Sequence, residues 1–323
     1  MQIFRCPTCS SRVYFHNTAC SCGQEVTFDP ERQVMQTGGA FCKNRAEIGC
    51  NWVAESGGLC RSCAMTETVP DLGEPANLPL WTATELSKRW MLANLGRWGW
   101  FTSADEGARP VFKLLSEQTA AGEADVTMGH AQGTITINVS EASDAVLAER
   151  QENLGELYRT MLGHMRHETA HFLFLRLAER MEFLNAFREM FGDERADYGE
   201  ALKAHYAAPK EAGDEYITSY ASAHPHEDWA ETIAHLLHLV DLLDCAAAAG
   251  LSLPEGPPPG YDAYAEVDTE RLISEAVAVS IAVNHVNRGL DLPDVYPFVL
   301  SQRVRDKIAF AHWHLRGGAF SQL

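Results

Sequence analysis

Apolar residues recur at helical spacing through most of the second half of the chain. The pattern predicts a helix from Glu156 to about Phe191, where the following Gly192 is a suitable stop. A second helix is predicted from Pro225 toward Gly250, because proline suits the first turn of a helix and acidic side chains follow it at the positive end. Two further helical stretches are predicted between residues 268 and 316.

The first half of the chain alternates between polar connectors and short apolar segments. Thr134–Val139 alternates and is rich in β-branched residues, so it predicts a strand with one buried face. Apolar positions at roughly helical spacing predict a helix over residues 82–95, with Thr82 or Thr84 as its N-cap. The stretch Thr66–Pro79 is polar and contains prolines, which predicts a linker or a domain boundary.

Length and charge narrow the class of protein. The chain has 323 residues, 46% of them hydrophobic, enough for a large domain with a small one or for two medium domains. Its formal charge is −18, from 44 acidic and 26 basic residues. A surface this acidic repels phosphate backbones, so we expect no nucleic-acid partner and only a weak preference for basic peptides. With no long apolar run and no secretory signal, the sequence predicts a cytoplasmic protein without a membrane partner.

Cysteines are concentrated at the N-terminal end of the chain. Eight of the nine lie within the first 63 residues, whereas Cys245 stands alone and suits a small buried hydrophobe. In a reducing compartment such clustering predicts metal sites rather than disulfides. The spacing predicts two groups that each suit a tetrahedral zinc: Cys6, Cys9, Cys20 and Cys22 (the first cysteine quartet), and Cys42, Cys50, Cys60 and Cys63 (the second cysteine quartet).

Metal binding would stabilise a segment too short to fold on apolar burial alone. We therefore expect residues 1–68 to form a tandem zinc-ribbon region and residues 69–323 a second domain. Closed four-cysteine sites favour a structural role, or docking of a protein partner, over redox chemistry or DNA contact. Cys20 and Cys22 are one residue closer together than the cysteines of a usual zinc knuckle. This departure weakens the prediction of a zinc site at the first quartet.

The segment from His167 to His171 reads HETAH, which matches the HExxH pattern. On a helix, residues four apart lie on one face, so the two imidazoles can bind one metal ion. Glu168 projects further round the helix and can reach a water molecule on that metal without binding the metal itself. Zinc accepts two histidines and a carboxylate, keeps one position open, and activates water for attack on a peptide carbonyl with Glu168 as general base.

The third metal ligand must come from elsewhere in the chain. Extended HExxHxxGxxH enzymes need Gly and His where this chain has Phe174 and Leu177, so that class is excluded. Glu227 and Glu231 lie one turn apart at the start of the second predicted helix and share a face. We expect Glu227 to bind the metal and Glu231 to orient a histidine ring, with the reverse assignment left open.

A peptidase also needs a group that stabilises the oxyanion of the substrate. The candidates precede Glu227, and we choose Tyr220 over Tyr216 and His224. The strand Thr134–Val139 offers a further element: as an exposed edge strand near the metal it could pair with an extended peptide, although an interior strand fits the pattern equally well.

Other histidines are expected to have no ligand role. His130, before the predicted strand, is expected to be a loop or surface histidine. His164, one turn before HExxH, is expected to pack or to orient a ligand ring. His235 and His238, further along the second helix, are expected to be structural.

Five stretches of the chain resemble a bacterial family of zinc-binding metallopeptidases with an N-terminal zinc ribbon. They are GHAQGTITINVSEASDA, LYRTMLGHMRHETAHF, FGDERADYGEAL, SYASAHPHEDWAETIAHLLHLVD and DVYPFVLSQRV, and they cover most of residues 128–300. The chain is also similar to the wider gluzincin clan, including toxin-type members with an ExxAE segment and a tyrosine seven positions before its first glutamate. Transferred by position, that similarity implies Glu227 as ligand, Glu231 as the ring-orienting residue and Tyr220 as the oxyanion group.

The resemblance implies an α+β protein with an N-terminal zinc-ribbon module and a mainly helical, zincin-like domain with a small β-sheet. It implies one catalytic zinc beside up to two structural ones, and a peptide or protein substrate. Two alternatives stay open: an adaptor that docks through its ribbons and has lost turnover, and a metal-dependent hydrolase of non-peptide amides.

Overall fold

A computed structural model describes residues 1–55, 58–154, 160–254, 256–295 and 299–317, with the side chains of residues 149 and 151–154 left aside. The chain divides into two compact units, Met1–Met165 and Arg166–Gly318. The protein is α+β, as predicted, with small sheets in the first unit and helices throughout the second. The domain boundary near residue 68 that the cysteine pattern suggested stays a prediction.

The first unit begins with the cysteine-rich region, whose regular elements are all short. They are β1 (Phe4–Arg5), β2 (Arg12–Val13), β3 (Thr27–Asp29), β4 (Val34–Gln36), α1 (Arg45–Ile48) and α2 (Arg61–Ala64). The strands pair as two antiparallel hairpins, β1 with β2 and β3 with β4. Phe15, Phe28 and Trp52 are buried, and the Phe15 and Phe28 rings meet edge to face at 4.9 Å. Aromatic packing thus adds a small apolar core to this region.

A four-stranded sheet follows, in the order β5, β6, β10, β9. Its strands are β5 (Thr66–Thr68), β6 (Val111–Leu115), β9 (Gly129–Ala131) and β10 (Thr134–Asn138). The predicted strand is confirmed as β10, with Ile135 and Ile137 fully buried. It is an interior strand, parallel to β6 and antiparallel to β9, so the expectation of an exposed peptide-pairing edge there is wrong. Both backbone edges of β10 are already hydrogen-bonded.

Two other expectations for the first unit need correction. Thr66–Pro79 is not a linker throughout, because Thr66–Thr68 forms β5 and pairs with β6. Helix α3 spans Asn77–Gly96 and starts earlier than predicted, since a proline in the first turn has no N–H that needs an intrahelical partner. Thr82 and Thr84 do not cap it; their hydroxyls donate to carbonyls one turn back within the helix. The remaining elements are β7 (Gln118–Thr119), β8 (Gly122–Glu123), a 3₁₀ turn (Val139–Ala142) and α4 (Asp144–Leu154).

The helices around the second unit are α5 (Met161–Leu177), α6 (Met181–Phe191), α7 (Tyr198–Ala207), α8 (Pro225–Ala249), α9 (Thr269–Gly289) and α10 (Gln302–Arg316), with a 3₁₀ turn at Tyr220–Ala223. The prediction of one continuous helix as far as Phe191 is wrong, because the structure has two helices there, α5 and α6. The predicted start of that helix at Glu156 lies outside the described residues. The break lets Phe187 of α6 fold back onto Phe174 of α5, with ring centroids 4.8 Å apart. Tertiary packing therefore overrides a helical pattern that contains neither glycine nor proline at this point.

Helix α8 is the central element of the second unit. It begins at Pro225, as predicted, and ends at Gly250, whose φ of 76° is left-handed. Among the described residues it is the helix whose length and composition would also suit a membrane span, but 67% of its apolar window is buried inside the protein. Leu236, Leu239 and Leu243 are buried completely, which is the behaviour of a core helix.

Candidate metal centre

The two helices that carry the candidate ligands are joined by a tryptophan. Trp229 of α8 is fully buried, and its indole Nε1–H donates to the backbone carbonyl of Ala170 at 2.9 Å. Ala170 lies between the two histidines of HExxH, and its small side chain is also fully buried, which allows α8 to come close. The aromatic rings of Phe174, Phe183 and Phe191 surround the indole at 5.5–6.3 Å. This packing fixes the start of α8 against the middle of α5.

Three predicted donors converge between these helices. His167 Nε2 lies 3.0 Å from Glu227 Oε2 and 3.2 Å from His171 Nε2. His171 Nε2 lies 3.5 Å from Glu227 Oε1. A tetrahedral zinc with bonds of about 2.0–2.1 Å places its ligand atoms about 3.3–3.4 Å apart. The three donors therefore have the chemistry and the spacing that a zinc ion needs.

Glu231 contacts the opposite side of the same imidazole ring. Its Oε1 lies 2.7 Å from His167 Nδ1, and its Oε2 accepts a hydrogen bond from Thr218 Oγ1 at 2.8 Å. With Nδ1 facing this carboxylate, Nε2 is the ring nitrogen of His167 that faces Glu227 and His171. The geometry thus distinguishes the two glutamates that the sequence left open: Glu227 contacts His167 at Nε2, and Glu231 contacts it at Nδ1.

The same contacts set the charges of the site. Burial alone would lower the pKa of His167, but Glu227 and Glu231 outweigh burial and raise that pKa well above its ordinary value. Burial would likewise raise the pKa of Glu227, yet hydrogen bonds from His167 and His171 hold it far below its usual range. Without metal, the site therefore holds a protonated imidazole between two carboxylates, and metal binding must displace a proton.

Glu168 follows His167 on α5. Its side chain is buried, with the residue 8% exposed, and its Oε2 has no hydrogen-bond partner in the described part of the chain. A buried carboxylate oxygen without a donor is unfavourable unless another molecule supplies one. Glu168 thus has a free acceptor where a general base needs one.

The tyrosine and histidine candidates before Glu227 have different surroundings. The ring of Tyr220 lies 6.0 Å from that of His167, and burial first, then the charge of Glu227, raises the pKa of its hydroxyl, which stays protonated. The ring of Tyr216 instead faces Lys307 Nζ at 4.5 Å. His224 caps α8 by accepting from the His226 backbone N–H at 3.1 Å. Of the three, Tyr220 is the one whose ring lies against a metal-site histidine.

One residue at the site was missed by sequence reasoning. Tyr198, the first residue of α7, donates its hydroxyl to Glu227 Oε1 at 2.7 Å. Burial and the charge of Glu227 raise the pKa of this hydroxyl, so it remains a donor. The resemblance included the segment around Tyr198, but no spacing rule links a tyrosine on a separate helix to a glutamate 29 positions later.

The remaining predicted positions do not belong to this set of donors. His164 Nε2 contacts Glu141 Oε2 at 2.7 Å, and His130 Nε2 accepts from the Gly133 backbone N–H at 3.1 Å within the β9–β10 connection. His238 Nδ1 lies 2.5 Å from Arg166 NH1, and His235 is buried. Cys245 is half-buried, less hidden than expected.

Both cysteine quartets come together in the first unit. In the first, Cys6 and Cys22 sulfurs lie 4.0 Å apart and those of Cys9 and Cys20 lie 3.6 Å apart. In the second, the Cys50 sulfur lies 3.6 Å from that of Cys60 and 3.7 Å from that of Cys63. Tetrahedral zinc with bonds of about 2.3 Å places sulfurs about 3.8 Å apart. The short Cys20–Cys22 spacing therefore does not prevent the first quartet from gathering.

Two family models match the chain. Residues 77–314 match a family described as "putative zinc-binding metallo-peptidase", and residues 3–74 match a zinc-ribbon domain. The chain belongs to this zinc-binding metallopeptidase family. It is 37% identical to uncharacterized proteins of Mycobacterium bovis and Mycobacterium tuberculosis, over 97% of this chain and 94% of theirs. No solved structure matches the chain.

Proposed function

We propose that this chain is a zinc-dependent peptidase of gluzincin type, in which His167, His171 and Glu227 hold the catalytic zinc. The observation that carries the proposal is the convergence of these three side chains: His167 Nε2 lies 3.0 Å from Glu227 Oε2 and 3.2 Å from His171 Nε2, and His171 Nε2 lies 3.5 Å from Glu227 Oε1. Two imidazoles and one carboxylate form the ligand set of a catalytic zinc that keeps a position open. When bound there, zinc supplies Lewis acidity, which polarises a peptide carbonyl and acidifies a water molecule.

Glu168 is the general base of this proposal. Its unpartnered, buried oxygen takes a proton from the attacking water and afterwards returns it to the leaving amine of the peptide. Tyr220 keeps its hydroxyl protonated and donates a hydrogen bond to the oxyanion of the substrate. Glu231 accepts from His167 Nδ1 and holds the imidazole in the tautomer that binds metal through Nε2.

The cysteine quartets are proposed to hold structural zinc, one ion each. Most of their sulfurs are buried, and closed four-cysteine sites leave no position for a substrate. The substrate is proposed to be a peptide or protein, with a protein partner docking through the ribbons, in a cytoplasmic setting that keeps the cysteines reduced. A charge of −18 disfavours nucleic acid as a partner.

The decisive experiment compares Glu168→Gln with wild type. Zinc per chain is measured alongside cleavage of an unfolded protein and of a panel of short peptides. The variant is expected to keep its zinc and to lose at least about 100-fold in cleavage rate, the usual contribution of a general base. Glu179→Gln, on an exposed residue just beyond α5, is the matched control and should cleave normally.

Three outcomes contradict the proposal in different ways. Undiminished cleavage by Glu168→Gln removes Glu168 as the base. If the zinc-loaded wild type cleaves no peptide but binds protein partners through its ribbons, the chain is an adaptor. Cleavage confined to non-peptide amides identifies a different class of hydrolase.

A further inference from the structure

Tyr198 has no role in the mechanism proposed above, yet it touches the metal site directly. Its hydroxyl donates to Glu227 Oε1 at 2.7 Å, and the residue is 43% exposed. A half-exposed tyrosine can hydrogen-bond to water, so a short bond to a carboxylate that is 0% exposed indicates a specific placement.

Local contacts fix the position from which Tyr198 reaches inward. Asp197 caps α7 by accepting from the Glu200 backbone N–H at 2.9 Å. The ring of His224 lies 5.2 Å from that of Tyr198, and His224 Nε2 contacts the Ala196 carbonyl at 3.1 Å. Since His224 also caps α8 three residues before Glu227, one imidazole sets the spacing between the start of α7 and the start of α8.

The two oxygens of Glu227 have different partners. Oε2 lies 3.0 Å from His167 Nε2, whereas Oε1 accepts from Tyr198 and lies 3.5 Å from His171 Nε2. A carboxylate oxygen that accepts a strong hydrogen bond is a poorer metal ligand than its free neighbour, because its electron density is shared with the proton. Both oxygens face a histidine Nε2, but Oε1 is held by Tyr198, so Oε2 is the better metal ligand.

We propose that Tyr198 is a positioning residue that holds Glu227 as a one-oxygen metal ligand and thereby ties helix α7 to the metal centre. The inference rests on the proposed function in one respect: it takes His167, His171 and Glu227 as the metal site. A carboxylate that binds through one oxygen leaves room for water, whereas two-oxygen binding would fill that position.

The attachment of α7 follows from the same bond. None of the side chains of α7 is buried, so apolar burial contributes little to its position beyond the contact of the His205 ring with that of Tyr220 at 5.9 Å. The hydrogen bond from Tyr198 to Glu227 is a polar anchor at the first residue of this helix. Metal occupancy and the order of α7 are therefore coupled through Glu227.

The first test is Tyr198→Phe, which removes the hydroxyl and keeps the ring. Zinc affinity is measured on the full chain by competition with a chromogenic chelator, with zinc counted per chain. The variant is expected to bind the catalytic zinc about 10–100-fold more weakly, the usual effect of removing a group that hydrogen-bonds to a metal ligand, while the cysteine quartets keep theirs. Tyr206→Phe, on the same helix, removes a hydroxyl that interacts with Tyr220 rather than with a metal ligand; it is the control and should keep wild-type zinc affinity.

The second measurement needs no activity and no change in affinity. Amide hydrogen exchange over residues 198–207 is compared between wild type and Tyr198→Phe, each with zinc and with chelator. Wild type should exchange more slowly with zinc, and Tyr198→Phe should show little response to zinc in this segment. Equal affinity together with equal protection of α7 in both proteins would overturn the proposal.

Failure of the proposed function gives a different result. His167→Ala should bind one zinc fewer than wild type if the metal site is correct. If His167→Ala and wild type bind the same amount of zinc, the site itself is wrong. If they differ by one while Tyr198→Phe behaves as wild type, only the role of Tyr198 is wrong.

Discussion

Glu231 provides a quantitative test of how the metal site is arranged. Its carboxylate accepts from His167 Nδ1 at 2.7 Å and from Thr218 Oγ1 at 2.8 Å. Glu231→Gln retains an acceptor oxygen but removes the negative charge, so we expect the smaller part of the usual 10–100-fold loss of metal affinity, about tenfold or about 1.4 kcal/mol. Glu231→Leu removes both acceptor and charge and should approach about 100-fold.

The assay is competition for zinc with a chromogenic chelator at fixed pH, on the full chain. The cysteine quartets serve as an internal reference, because their donors are sulfur atoms that Glu231 does not orient. Thr218→Val removes one neutral hydrogen bond to Glu231 and should weaken zinc by less than about tenfold. This graded series separates an orienting role from a general loss of stability.

The pH dependence of this series has a defined sign. Glu227 and Glu231 raise the pKa of His167 above its ordinary value, and the imidazole must lose a proton to bind zinc. As the pH falls through that raised pKa, the zinc affinity of wild type should therefore decrease more than that of Glu231→Gln. The difference in zinc affinity between the two proteins should narrow at low pH. Complete loss of the catalytic zinc in Glu231→Gln would refute this reasoning and make Glu231 a ligand; wild-type affinity would show that it does not orient the ring.

Three further predictions address the rest of the molecule. Trp229→Ala should lower the free energy of unfolding by about 3–5 kcal/mol in denaturant titrations, because it removes a fully buried indole. Trp229→Phe should lower it by only about 1–2 kcal/mol. Equal losses in the two variants would mean that the buried indole volume is unimportant. Burial, then the charge of Arg316, lowers the pKa of His312 to about 4, so its stabilising contribution is complete above about pH 6.5 and is lost as the pH falls toward 4. The stability difference between wild type and His312→Asn should shrink by up to about 3 kcal/mol over that range, and a constant difference would contradict a buried neutral imidazole. Arg89 is 2% exposed, its Nε has no hydrogen-bond partner in the described part of the chain, and its positive charge acts on Cys50 of the second cysteine quartet. Arg89→Met removes this charge and should therefore release the zinc of that quartet to a chelator faster than Arg89→Lys, which keeps it. Equal release rates would exclude a charge effect.

Local patterns in the sequence anticipated the features that depend on regular spacing. HExxH placed His167 and His171 on one face because four residues complete about one helical turn. The start of α8 was recognisable from Pro225 and the acidic residues after it, and its end from Gly250. The cysteine quartets followed from spacing in the same way. Each of these signals is contained within a few turns of backbone.

Features that depend on tertiary packing were not recoverable in this way. No glycine or proline marks the break between α5 and α6, which follows from the packing of Phe187 on Phe174. The interior position of β10 depends on β6, a strand that alternation alone did not reveal. Tyr198 reaches Glu227 from a separate helix, so only the folded chain relates them. The same is true of the choice between Glu227 and Glu231, which rests on the side of the His167 ring that each contacts.

The most direct measurement is an anomalous difference map at the zinc absorption edge from crystals grown with zinc. We predict a peak within about 2.0–2.2 Å of His167 Nε2, His171 Nε2 and a Glu227 oxygen, beside peaks in the cysteine quartets. Peaks confined to the cysteine quartets, with the two imidazoles and Glu227 in contact only with each other, would contradict a catalytic zinc in this protein.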